Sequence, residues 1–96
     1  MAATPEKKVK DAIKKILTTS EAYFFMPFGA GYGRAGVADL CCCVRGKFVA
    51  IEAKAGKGKT TALQERELQA VRDAGGIALV INEVNINQLK GIIDAI

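Results

Sequence analysis

The sequence predicts an α/β domain of α+β character, with elements in the order αβββαβα. Three observations carry that prediction. The chain has 96 residues, half hydrophobic and a quarter charged, which is too apolar for disorder and the right length for one compact unit spanning residues 1–96. Amphipathic helical patterns flank a cluster of short strand-like runs. A continuous apolar run, Ile77 to Ile81, lies near the end, as expected of a strand buried on both faces.

Thr4-Pro5-Glu6 starts the first helix, Thr4 as N-cap and Pro5 at the first helical position, where its missing N–H costs nothing. Val9, Ala12, Ile13, Ile16 and Leu17 then fall at helical spacing and form one buried stripe. Ala22 to Met26 is a short aromatic strand stopped by Pro27, and a loop with glycine at 29, 31, 33 and 36 follows. Val37 to Val44 and Lys47 to Lys54 are two further strands joined by Arg45-Gly46, a two-residue hairpin turn. A second helix runs from about Thr61 to Ala74 and stops at Gly75-Gly76. After the apolar strand, Asn85 caps a last helix whose Ile86, Leu89, Ile92, Ile93 and Ile96 form a wide apolar side.

Charge is unevenly spread. Residues 1–60 carry 11 basic and 5 acidic side chains, residues 61–96 carry 3 and 5, so the first part could meet a polyanion. Cys41, Cys42 and Cys43 are consecutive and the chain has no histidine, which suits neither a disulfide framework nor a His-containing zinc site. Strand alternation sends Cys42 to one face and its neighbours to the other. The thiols are read as reduced and structural. No apolar stretch has the form of a signal peptide or the length of a membrane span, so no membrane is expected and the location is read as cytoplasmic. A domain this short hides only roughly 60–65% of the surface its unfolded chain exposes, which makes a homodimer the expectation.

Two nucleotide-binding patterns are set aside. Gly31-Tyr32-Gly33-Arg34-Ala35-Gly36 matches G-x-G-x-x-G, but it leads into a strand rather than a helix N-terminus. Its Tyr32 and Arg34 are candidates to touch a ligand. Gly58-Lys59-Thr60 resembles the end of a P-loop, yet Ala53 stands where the first glycine belongs. No nucleotide cofactor is expected.

The chemistry lies in the hairpin. If Arg45-Gly46 is the turn, Val44 faces Lys47 and counting back along both strands sets Asp39 opposite Glu52. Directly opposed residues share a face, and alternation adds Lys54 to it. Like charges so placed destabilise a sheet, so a cation belongs there. Two carboxylates with open oxygens are the usual seat of Mg²⁺ or Mn²⁺ beside a phosphate, with the lysine orienting a water or stabilising charge on phosphorus oxygens. An exposed salt-bridge cluster fits the same spacing. Gln64 shares a helical face with Leu68 and Val71, which aims its amide inward, either at a catalytic group or phosphate or at backbone near the helix start. Glu6 points towards the core edge, or serves the helix dipole.

Gly36-Val37-Ala38-Asp39, Glu52-Ala53-Lys54 and Gln64, after a helix bearing Glu6, resemble the VRR-NUC (virus-type replication-repair nuclease) domains of the PD-(D/E)XK superfamily over nearly the whole chain. The resemblance implies a restriction-endonuclease-like αβββαβ core around a mixed sheet flanked by helices, plus the C-terminal helix, and Mg²⁺- or Mn²⁺-dependent hydrolysis of DNA. It implies metal ligation by Asp39, Glu52 and the carbonyl of Ala53, with Glu6 approaching directly or through water. Lys54 becomes the catalytic lysine and Gln64 its helper. Ala38 stands where the superfamily pattern has proline. Small stand-alone members are viral or bacterial, dimerise and resemble Holliday-junction resolvases, so the expected partner is branched DNA in a bacterial or phage-infected cell. Lys7, Lys8, Lys10, Lys14, Lys15, Lys57, Lys59, Arg34 and Arg45 are candidates for phosphate contact, with Lys57 and Lys59 nearest the cut. A DNA-binding module without turnover, or one that needs a partner, is the alternative.

Overall fold

The computed structural model describes residues 4–28 and 34–96. Helix α1 is Pro5–Thr19, and the Thr4 hydroxyl accepts the backbone N–H of Lys7 at 3.1 Å, as the N-cap reading requires. Strands β1 (Tyr23–Phe25), β2 (Leu40–Val44) and β3 (Lys47–Ala53) precede α2 (Ala62–Asp73) and β4 (Ile77–Ile81). A 3₁₀ turn, Ile86–Gln88, then leads into the short helix α3, Leu89–Asp94.

The four strands lie in the order β1-β2-β3-β4, the first two pairings antiparallel and the last parallel. The sheet is therefore mixed. Its register is fixed by the turn: Arg45 and Gly46 both have positive φ, 47° and 84°, the conformation of a type I′ turn, and Val44 pairs with Lys47. Arg45 tolerates this backbone while its guanidinium donates to the carbonyls of Ile93 and Ile96 (2.9 Å to the latter). It thus closes the end of α3.

The sheet separates two layers. Facing α1 and α3, Val9, Ile13 and Leu17 pack with Leu40, Cys42, Val44, Val49, Ile51, Leu89 and Ile93. Burying each large aliphatic of this set contributes about 1.5–3 kcal/mol. Facing α2, the buried apolar set is small: Ala38, Ala50, Leu68 and Ala78. Cys42 lies in the first layer, and burial, with Cys41 beside it, pushes its thiol up to about 12. Cys41 and Cys43 face the other way, half-buried and exposed, and all three are free.

Strands β1 and β3 are shorter than expected by a residue at their ends, Tyr23–Phe25 against Ala22 to Met26 and Lys47–Ala53 against Lys47 to Lys54, and two further boundaries differ more. Strand β2 begins at Leu40 rather than Val37, because the chain first folds against α2. Gly36 has φ of +80°, and a Cβ there would stand 2.8 Å from the backbone of Leu63. Only glycine allows that approach, and the third glycine of the apparent nucleotide motif is explained by it. The last helix is split into the 3₁₀ turn and α3, and Asn85, at the N-cap position of the turn, makes no side-chain cap hydrogen bond. Its amide turns back instead, donating to Val80 O and accepting from Asn82 N at 2.9 and 2.8 Å.

Candidate functional site

The pairing of Leu40 with Ile51 makes Asp39 and Glu52 the next opposed positions. Asp39 lies one residue before β2 and is held by its side chain, Oδ2 accepting the backbone N–H of Ala53 at 2.9 Å. Glu52 lies within β3, the central strand, on the α2 face, and is 2% exposed. Its Oε1 accepts a hydrogen bond from Gln64 Nε2 at 3.3 Å. Its Oε2 is buried with no hydrogen-bond partner.

An ionised carboxylate with an unpartnered buried oxygen is costly without a cation beside it. Burial, then the neighbouring Asp39, and more weakly Glu6, push the Glu52 carboxyl up to about 8, while Lys54 pulls it down. Lys54 stands on the same face just beyond the strand end, its N–H donated to Ile81 O at 2.9 Å. Among the described residues its ammonium forms no ion pair, and its influence on Glu52 is through space.

Gln64 makes hydrogen bonds in both of the directions its position suggests. Its Oε1 accepts from the N–H of Thr61 at 2.9 Å while the Thr61 hydroxyl accepts from Gln64 N at 3.1 Å, a complete capping box at the start of α2. The remaining amide nitrogen reaches Glu52. One side chain thereby couples the helix start to the buried acid.

Glu6 faces this pair across a lysine. Lys10 Nζ lies 3.7 Å from Glu6 Oε2 and 3.6 Å from Asp39 Oδ1, so the cation expected between the acids is supplied partly by the protein itself. From the sequence Lys10 is expected only among the phosphate contacts. Its i, i+4 spacing from Glu6 was the available signal, and its distance to Asp39 depends on how α1 lies against the sheet.

The other basic candidates divide. Lys57 and Lys59 are exposed on the turn after β3, which is shaped by Gly58 N–H to Ala55 O at 2.9 Å and Gly56 N–H to Glu83 Oε1 at 2.6 Å. Lys8 is exposed on α1. Lys7 pairs with Asp11 at 2.9 Å. Arg34 forms a two-pronged bond to Glu67 on α2, at 3.0 and 2.8 Å. Tyr32 lies outside the described residues.

Oxygen donors from Asp39 and Glu52, one of them unsatisfied and buried, fit a hard divalent cation of the Mg²⁺ or Mn²⁺ type. Among the described residues no three His, Cys, Asp or Glu side chains converge as a metal cluster.

No protein-family model matches the sequence, and no curated protein matches it with significance. Solved structures do. A structure described as "VRR_NUC domain" superposes with a TM-score of 0.75 at 23% identity, over 96% of this chain and 97% of its own. A second, "VRR_NUC domain protein", gives 0.68 at 19% identity over 99% and 89%. The helix-flanked mixed sheet that brings Asp39, Glu52 and Gln64 together is thus the fold of the VRR_NUC domain, spanned almost end to end.

Proposed function

We propose that the chain is a divalent-metal-dependent, structure-selective endonuclease that hydrolyses DNA phosphodiester bonds, acting as a homodimer with four-way (Holliday) junctions as its preferred substrate. One observation carries this reading: the buried, unpartnered oxygen of Glu52 opposite Asp39, a pairing that a purely structural sheet avoids. The resemblance of fold to VRR_NUC structures supports the same class.

Bound between the acids, Mg²⁺ or Mn²⁺ would supply Lewis-acid stabilisation of the phosphate. The protein's own residues do the positioning. Gln64 fixes one Glu52 oxygen and leaves the other free, and the Ala53 N–H fixes one Asp39 oxygen. Lys54 orients the attacking water and offsets charge on the phosphorus oxygens. Lys57 and Lys59 hold the DNA backbone near the cut, with affinity that falls as salt rises.

A homodimer is favoured by the sheet surface that α2 leaves uncovered. Tyr23 lies opposite Cys43, and Cys43 opposite Phe48. Tyr23, Phe25, Met26, Phe28 and Phe48 are all substantially exposed. A fully buried aromatic covers about 150–250 Å², and these side chains are only partly exposed, so they would supply a part of the roughly 800 Å² per partner of a stable interface. A two-fold pair of sites suits paired cuts in a junction.

The test is cleavage of labelled four-way junction, flap and linear duplex DNA at low salt with Mg²⁺, Mn²⁺ or EDTA, comparing the native chain with Lys54→Ala. Metal-dependent junction cutting lost in the variant is the expected result. DNA that shifts in a gel but stays intact under every condition would instead favour a binding module.

A further inference from the structure

We infer that Lys10 is a displaceable internal counter-ion that stands in for the divalent cation at Asp39 and is ejected when the cation binds; this rests on the metal-site reading above. A lysine that only solubilised α1 would extend into water. Lys10 instead keeps its side chain about three-quarters covered and brings its ammonium to Asp39, far away in sequence, as well as to Glu6 one helical turn back.

The distances define the kind of contact. At 3.6 and 3.7 Å both exceed the 2.7–2.9 Å usual for charge-assisted hydrogen bonds. The surface pair Lys7–Asp11 on the same helix closes to 2.9 Å. Lys10 is therefore held by the field of two carboxylates rather than by directed bonds. Asp39 stays anchored without it, through the Ala53 N–H.

A dication draws the Asp39 and Glu52 oxygens more strongly than an ammonium does, and two cations a few ångströms apart repel. The four-carbon stem of lysine with its rotatable donors lets the displaced ammonium move. Lys10 thus keeps Asp39 neutralised before loading, opposes weak or singly charged ions, and is released where a phosphate beside the metal can take it. The coupling is reciprocal: whatever Lys10 contributes at Asp39 must be overcome by the metal.

The experiment is a Mn²⁺ titration of the metal-stripped chain, read by the electron paramagnetic resonance signal of free Mn²⁺, for the native protein, Lys10→Met, Lys10→Arg and Asp39→Asn. Lys10→Met should bind Mn²⁺ roughly 5- to 10-fold more tightly than native, Lys10→Arg should restore native affinity, and Asp39→Asn should lose binding. Lys10→Gln, also neutral, replaces Met if that variant does not fold. Unchanged or weaker Mn²⁺ binding in the neutral variant, with the native chain binding normally, would overturn the counter-ion role alone. Absence of binding by the native chain would overturn the metal site and this inference together.

Discussion

On the side of the sheet that meets α1 and α3, 12 buried residues among those described form one apolar cluster, with Ile13, Leu17, Leu40, Ile51, Leu89 and Ile93 fully covered. On the side that meets α2, Leu68 packs with three alanines, and Glu52 is buried beside them. A cleft of about 110 Å³ remains there, lined by Val37, Ala38, Cys41, Ala50, Leu68 and Val71. The difference teaches a division of labour. Close packing on one face stabilises the domain, so the other can hold opposed acids, which cost stability.

If that division is right, the two faces should respond oppositely to substitution. The largest expected effect is on activity: Lys54→Ala, a half-buried residue at the strand end, should lower junction cleavage about 10³-fold, equivalent to about 4 kcal/mol in the barrier, while the melting temperature stays within a degree or two of native. Leu17→Ala should do the reverse. Loss of a fully buried leucine on the dense face costs about 3 kcal/mol, visible in urea denaturation, and the Mn²⁺ affinity of the folded fraction should not change.

A pH series separates the faces next. The Glu52 carboxyl is raised from 4.5 to about 8 by burial and Asp39, so between those values the folded chain holds a proton that the unfolded chain has released. Its contribution is fully present below about pH 4.5 and lost as pH rises through about 8. The metal-free chain should therefore lose a few kcal/mol across that window, and Glu52→Gln should flatten the profile in thermal melts at fixed ionic strength. The smallest effect is expected from Ala50→Val, which adds methyl groups beside the cleft. A gain of about 0.5–1 kcal/mol is the outcome for cavity filling, whereas a loss would show that the α2 face is packed as tightly as its opposite.

What was legible in the sequence follows from how local each interaction is. The Arg45-Gly46 turn sets the register of β2 against β3, and from it the opposition of Asp39 and Glu52 can be counted without knowing anything else about the fold. Thr61 and Gln64 lie three apart and form a box that their identities announce. The features that escaped are those set by the packing of distant elements. Arg34 meets Glu67 across 33 positions and Arg45 meets Ile96 across 51. Neither pairing has a spacing that could betray it. Gly36 reads in the sequence only as one glycine of a loop, and its reason, contact with the Leu63 backbone, is visible only once α2 lies over the loop. Lys10 is the instructive intermediate: its ion pair with Glu6 is periodic and readable, its ion pair with Asp39 is not.

The two acids also differ in how they are mounted. Glu52 belongs to β3, which has a hydrogen-bonded strand on each side, so its amide neighbours should exchange with solvent only when the whole sheet opens. Asp39 precedes β2 and is tied by a single side-chain bond to Ala53 N–H. Breaking that bond would cost none of the hydrogen bonds between the strands. The Ala53 amide is therefore a natural reporter: slow hydrogen exchange marks Asp39 seated, and faster exchange than its strand neighbours measures how often one half of the site swings away from the other.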